Sequence, residues 1–141
     1  MKKFSIFLLV LLLLCTGCAS KTTTPLLSSD DADRLDFVLM VPNYGGKPQE
    51  SYSAKHCTGT DMESIVKALQ NARRGDEVDT IYGGDITYFL LAFNDGKNTK
   101  IEIVDNKWVY MDGTYYSCSN VPNLDELYSS LSANETKFTV Y

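Results

Sequence analysis

His56 and Cys57 stand side by side and are the residues whose types most directly suggest chemistry. An imidazole that takes the proton of a nearby thiol makes a cysteine nucleophile. Adjacent residues of an extended segment point to opposite sides, however, so this pair cannot meet directly. Cys118 could replace Cys57 as the nucleophile only if no disulfide joins the two. One histidine and two separated cysteines are also too few for a structural zinc site, which takes four ligands in closely spaced pairs. The chain has no Gly-x-Ser-x-Gly, no phosphate-cradling glycine loop and no His-Glu-x-x-His. No carboxylate pair is singled out for sugar hydrolysis. The acidic cluster Asp30, Asp31, Asp33 lacks the glycine and distal glutamate of a calcium loop and reads as solvated. No metal, cofactor or catalytic residue is therefore expected. The function expected is non-enzymatic binding, with a cell-envelope hydrolase using carboxylates or Cys57 as the alternative.

The aromatic residues carry more information. The chain holds nine tyrosines and one tryptophan, and Trp108, Tyr110, Tyr115 and Tyr116 fall close together on adjacent predicted strands. Some of these rings must pack in the core. Those left exposed would form a face for a protein partner or a glycan, since tyrosine and tryptophan offer large contact area at low entropic cost.

The elements that would position these residues can be read from periodicity. Leu35 to Val41 has strand character and ends at Pro42, and Glu50 to His56 is a weaker extended piece. Thr60-Asp61-Met62-Glu63 fits a capping box, and Met62, Ile65, Val66 and Leu69 make an apolar stripe. Arg73 and Arg74 would close that helix, with Gly75 as its left-handed cap. Ile86 to Phe93 is apolar on both alternating faces, as in a central strand covered on two sides. Lys100 to Val104, Trp108 to Met111 and Thr114 to Cys118 follow as strands, joined by turns at 94–98, 105–107 and 112–113. Short connections favour sequential antiparallel pairing. A second helix starts after Pro122 with Asn123 as cap, and residues 137–141 could add an edge strand. The expected fold is α+β: an antiparallel meander sheet of four to six strands, one long helix packed on it, and a short carboxy-terminal helix.

The amino terminus determines where such a domain would reside. Lys2 and Lys3 precede an unbroken apolar run from Phe4 to Leu14, too short to span a bilayer, where about 20 helical residues are needed. It reads as an export signal. Thr16-Gly17-Cys18 resembles the lipobox of bacterial lipoproteins, although Cys15 stands where leucine is usual. That resemblance implies removal of residues 1–17 and lipidation of Cys18, the alternative being a plain signal peptide with an incidental cysteine. Residues 18–33, small and polar, read as a flexible tether, and residues 34–141 as one globular domain. Loss of Lys2 and Lys3 would take the formal net charge from −5 to about −7, which disfavours nucleic acid as a partner. Attachment to the membrane would come through lipid at Cys18. Cys57 and Cys118 would remain in a compartment where disulfides persist. A bridge between them would close a loop of about 60 residues and contribute roughly 4 kcal/mol, the alternative being a free thiol at either position.

Taken in order, the capped helix, Tyr88-Phe89-Leu90-Leu91-Ala92-Phe93 with Asn94-Asp95-Gly96-Lys97, Ile101-Glu102-Ile103-Val104-Asp105-Asn106, and Tyr110-Met111-Asp112-Gly113-Thr114-Tyr115-Tyr116 are similar to small uncharacterised lipoprotein domains of Firmicutes. The short helix with Leu124 and Leu127 completes the likeness, which covers about residues 58–131. It implies a Gram-positive source and the outer face of the cytoplasmic membrane. It implies no catalytic residue. In a Gram-negative host, Ser20 after Ala19 would permit outer-membrane sorting instead.

Overall fold

The computed structural model describes residues 21–141, and Cys18, the residue expected to carry the lipid, lies outside them. Nine strands form one sheet: β1 (Thr24–Pro25), β2 (Leu35–Val41), β3 (Ser51–Cys57), β4 (Arg73–Val78), β5 (Ile86–Phe93), β6 (Asn98–Val104), β7 (Trp108–Met111), β8 (Thr114–Ser119) and β9 (Glu135–Thr139). Their order is β1-β4-β8-β7-β6-β5-β2-β3-β9, with every neighbouring pair antiparallel. Among the described residues three short helices accompany them, α1 (Ser29–Ala32), α2 (Gly59–Asn71) and α3 (Leu124–Ser130).

This corrects the expected α+β fold of four to six strands with one long helix. The fold is mostly β. The strands β5 to β8 do pair in succession, joined by turns such as Asp112-Gly113, where both residues take positive φ (53° and 83°) as a tight hairpin demands. What the local pattern omits is the extension of the sheet on both sides. On one side β2, β3 and β9 are added through β5, and on the other β4 and β1 are added through β8. The residues Arg73, Arg74 and Gly75, expected as the end of a helix, are instead the start of β4. Helix α2 stops at Ala72, whose backbone is already extended (ψ 140°), because β8 needs a partner strand: Arg73 pairs with Ser119 and Arg74 with Cys118.

The tether reading of residues 18–33 also needs correction over its described part. Pro25 pairs with Arg73, and Leu26 and Leu27 are 5% and 4% exposed. The Leu26 amide donates to the carbonyls of Leu69 and Ala72, both at 3.2 Å. The folded unit thus begins about ten residues before position 34, because the two leucines plug the end of the core beside α2.

All three helices lie against one face of the sheet. Along β2, Val38 and Met40 point into the larger core with Phe89 and Leu91 of β5, Ile101 and Ile103 of β6 and Val109 of β7. Ile65 and Leu69 of α2 enter this core fully buried. Each such side chain contributes roughly 2 kcal/mol, more than propensity supplies to a marginal helix of this length. The alternate residues of the same strands, Leu39, Val41 and Tyr88, form a smaller cluster on the opposite face with Ala54. No helix of the described residues covers that side. Its cover is aromatic: Tyr44, Tyr52 and Phe138 pack on it.

Candidate functional site

The pairing register decides which of the predicted surface aromatics share a face. Trp108 lies opposite Ser117 and Val104, and Tyr110 lies opposite Tyr115 and Glu102. Residues directly opposed in antiparallel strands project to the same side. Trp108, Tyr110 and Tyr115 therefore stand together on the helix-free face, each half-buried. Tyr116 does not join them. It pairs with Val109, packs against the main core, and carries the Arg74 guanidinium 4.6 Å from its ring centre. This removes Tyr116 from the expected binding surface, since adjacent strand residues alternate in direction.

The open face also holds residues that sequence reasoning left aside. Across the sheet, one row runs Val41, Tyr88, Glu102, Tyr110, Tyr115, Val78 on strands β2, β5, β6, β7, β8 and β4. Glu102 thus sits between tyrosines on both sides. On the β5 side Tyr88 is 3% exposed, its ring tilted against Tyr44 at 4.6 Å and stacked on Phe138 at 5.6 Å. On the β7 side Tyr110 and Tyr115 form a ring pair at 4.6 Å. The loop carrying Tyr44 is held in place by its backbone, the Tyr44 amide donating to the Ile86 carbonyl at 2.8 Å. Tyr52 adds a third ring 5.2 Å from Tyr44, its hydroxyl donating to Glu50.

Electrostatics at the row follow from its partial dryness. Desolvation raises the Glu102 carboxyl above its ordinary range, and the Lys100 ammonium offsets only part of this. Burial pushes the Tyr88 hydroxyl up to about 12, and Tyr44 is raised by desolvation with Glu102 adding to it. Glu102 makes no ion pair or side-chain hydrogen bond among the described residues. A hollow of about 280 Å³ opens beside it, lined by Lys100, Glu102, Tyr110 and Asp112. A larger hollow of about 450 Å³ lies at the mouth of the main core near Leu26, Arg34 and Phe93. Its cations are already engaged, Arg34 with Asp31 and Asp95, and Lys97 with Asp95.

The thiols are placed where they can do little. Cys57 is fully buried on the core face, its pKa pushed up to about 11 by desolvation, while His56 points the other way, exposed and stacked 4.3 Å from Phe37. No thiolate and imidazolium pair can form from them. Cys118 on β8 is likewise pushed up to about 11 by burial. In place of the expected Cys57–Cys118 bridge both thiols are free, on strands five places apart in the sheet order. Among the described residues no group of three or more histidine, cysteine or acidic side chains could hold a metal ion.

No family model, curated protein or solved structure matches this chain.

Proposed function

We propose that this protein is a lipid-anchored, extracytoplasmic binding protein of a bacterial envelope, and that the helix-free face of its sheet is the contact surface. The observation that carries the reading is the sharing of that face by Trp108, Tyr110 and Tyr115 while the reactive candidates, Cys57 and Cys118, are turned into the core. Aromatic rings held on rigid strands lose little freedom when a ligand settles on them. A protein surface or a glycan would fit such a platform. The anchor rests on the lipobox resemblance at Cys18. No helix of the described residues is long and apolar enough to cross a membrane.

Binding of the full chain to purified envelope glycan and to native membrane extract, measured beside Trp108→Ala and Tyr115→Ala, tests the surface. Loss of about tenfold or more in affinity, with an unchanged urea midpoint, is the expected outcome. Retention of full affinity by both variants would remove the aromatic face from the function. Intact mass of the protein from membranes tests the anchor: a chain starting at Cys18 with an acyl-sized increment is expected, and an unmodified Cys18 would sink that part.

A further inference from the structure

We infer that the Glu102 row is a site for an organic ammonium group, quaternary or protonated amine, carried by the ligand of the open face. The inference deepens the proposed function and rests on that face being the contact surface. A carboxylate on an exposed strand is normally either fully solvated or ion-paired. Glu102 is neither: it is half-buried, it makes no ion pair or hydrogen bond among the described residues, and it lies in register between Tyr88 and Tyr110. The tyrosine rings opposite it in register are electron-rich. A cation placed in the hollow would meet Tyr110 while approaching the carboxylate. Ring quadrupole and full negative charge would then act on it together.

The charges around the hollow fit this ligand and not an anion. Lys100 is the one cation lining it, against Glu102 and Asp112. Lys100 is exposed, and it makes no ion pair with Glu102 among the described residues, so its flexible side chain can leave the site to a better-placed ammonium. A neutral sugar hydroxyl would gain only an ordinary hydrogen bond from Glu102, whereas an ammonium brings opposite charge to a half-buried carboxylate that has no other partner among the described residues. The site therefore distinguishes cationic from neutral ligands of the same shape.

Choline chloride and dimethylbutanol, its neutral carbon isostere, make the test. Each is titrated into the full chain in detergent, and saturable broadening of the methyl resonance is read by nuclear magnetic resonance. Choline is expected to bind about tenfold more tightly than the isostere. Glu102→Gln should abolish that preference, and Tyr110→Ala should weaken choline. Glu102→Gln removes a charge that burial disfavours, so the fold is not at risk. Equal affinity for the two probes, absence of saturable choline binding, or a preference that survives Glu102→Gln would each overturn the inference. If envelope binding still depends on Trp108 and Tyr115 in that event, the proposed contact surface stands without the cation. If choline selectivity holds while the Trp108 and Tyr115 variants bind the envelope normally, the cation site stands and the larger surface falls.

Discussion

The buried Lys55 ammonium donates to the Leu131 carbonyl at 2.7 Å. A second bond runs to the Tyr128 carbonyl at 2.9 Å, and the ammonium lies 4.8 Å from the Tyr128 ring centre. Lys55 thus closes the carboxy-terminal end of α3, where unpaired carbonyls and the helix dipole favour a cation. It ties the last helix to β3 across 73 to 76 residues of chain.

Replacing Lys55 by methionine keeps the apolar stem and leaves the Leu131 carbonyl without its donor, while the Tyr128 carbonyl keeps only the Leu131 amide at 3.3 Å. A loss of about 2 to 4 kcal/mol in urea-unfolding free energy is expected. A change within about 0.5 kcal/mol would mean that water or a neighbouring donor takes over the cap.

Asp61 makes the companion link. Its carboxylate accepts from the Ser132 amide and hydroxyl, both at 3.0 Å, and from the Ala133 amide at 2.7 Å. The Ser132 amide is the main cause holding the Asp61 carboxyl below its usual range, with Lys55 contributing. Such a group adds stability that is complete above the unfolded pKa, about 3.9, and lost as pH falls through the lower folded value. The urea midpoint should therefore fall on acidification below about pH 4, and Asp61→Asn should make that fall shallower. It should not abolish it, because Asp95 is also held low, chiefly by the Lys97 amide and then by Arg34. An unaltered slope in Asp61→Asn would show that this carboxylate is already protonation-neutral to folding.

The thiols predict a simple labelling pattern. With both pKa values at about 11, Cys57 and Cys118 should resist iodoacetamide in the native protein at pH 8. In urea without reductant, both should be alkylated. Mass spectrometry of the digested protein reads this directly, and labelling of the pair only after reduction would show that a Cys57–Cys118 bridge forms after all.

The parts of this protein that sequence alone determined are those whose physics is local. The Asn123 cap of α3 accepts from the Asp125 and Glu126 amides as its position predicts. The apolar stripe of α2 buries Ile65 and Leu69. The turns at 105–106 and 112–113 have the positive φ that Asn, Asp and Gly tolerate, so strands β6 to β8 follow from nearest neighbours in the chain. The start of α2 shows how local signals mislead: Thr60 to Glu63 reads as a capping box, yet Thr58 is the cap residue and Asp61 is drawn to Ser132 instead. Only tertiary pairing could extend the sheet to nine strands, bury Leu26 and Leu27 beside α2, and turn Arg73 to Gly75 from a helix end into a strand. The candidate site shows the same division. The residue types at Trp108, Tyr110 and Tyr115 were visible, but the faces they occupy depend on register, and Tyr116 falls on the other side. Glu102 carries no signal of its own, because in β6 it alternates with Ile101 and Ile103 like any solvent-facing residue. Its place between Tyr88 and Tyr110 comes from the pairing of β6 with β5 and β7, and a register between strands leaves no mark in the spacing within any one of them.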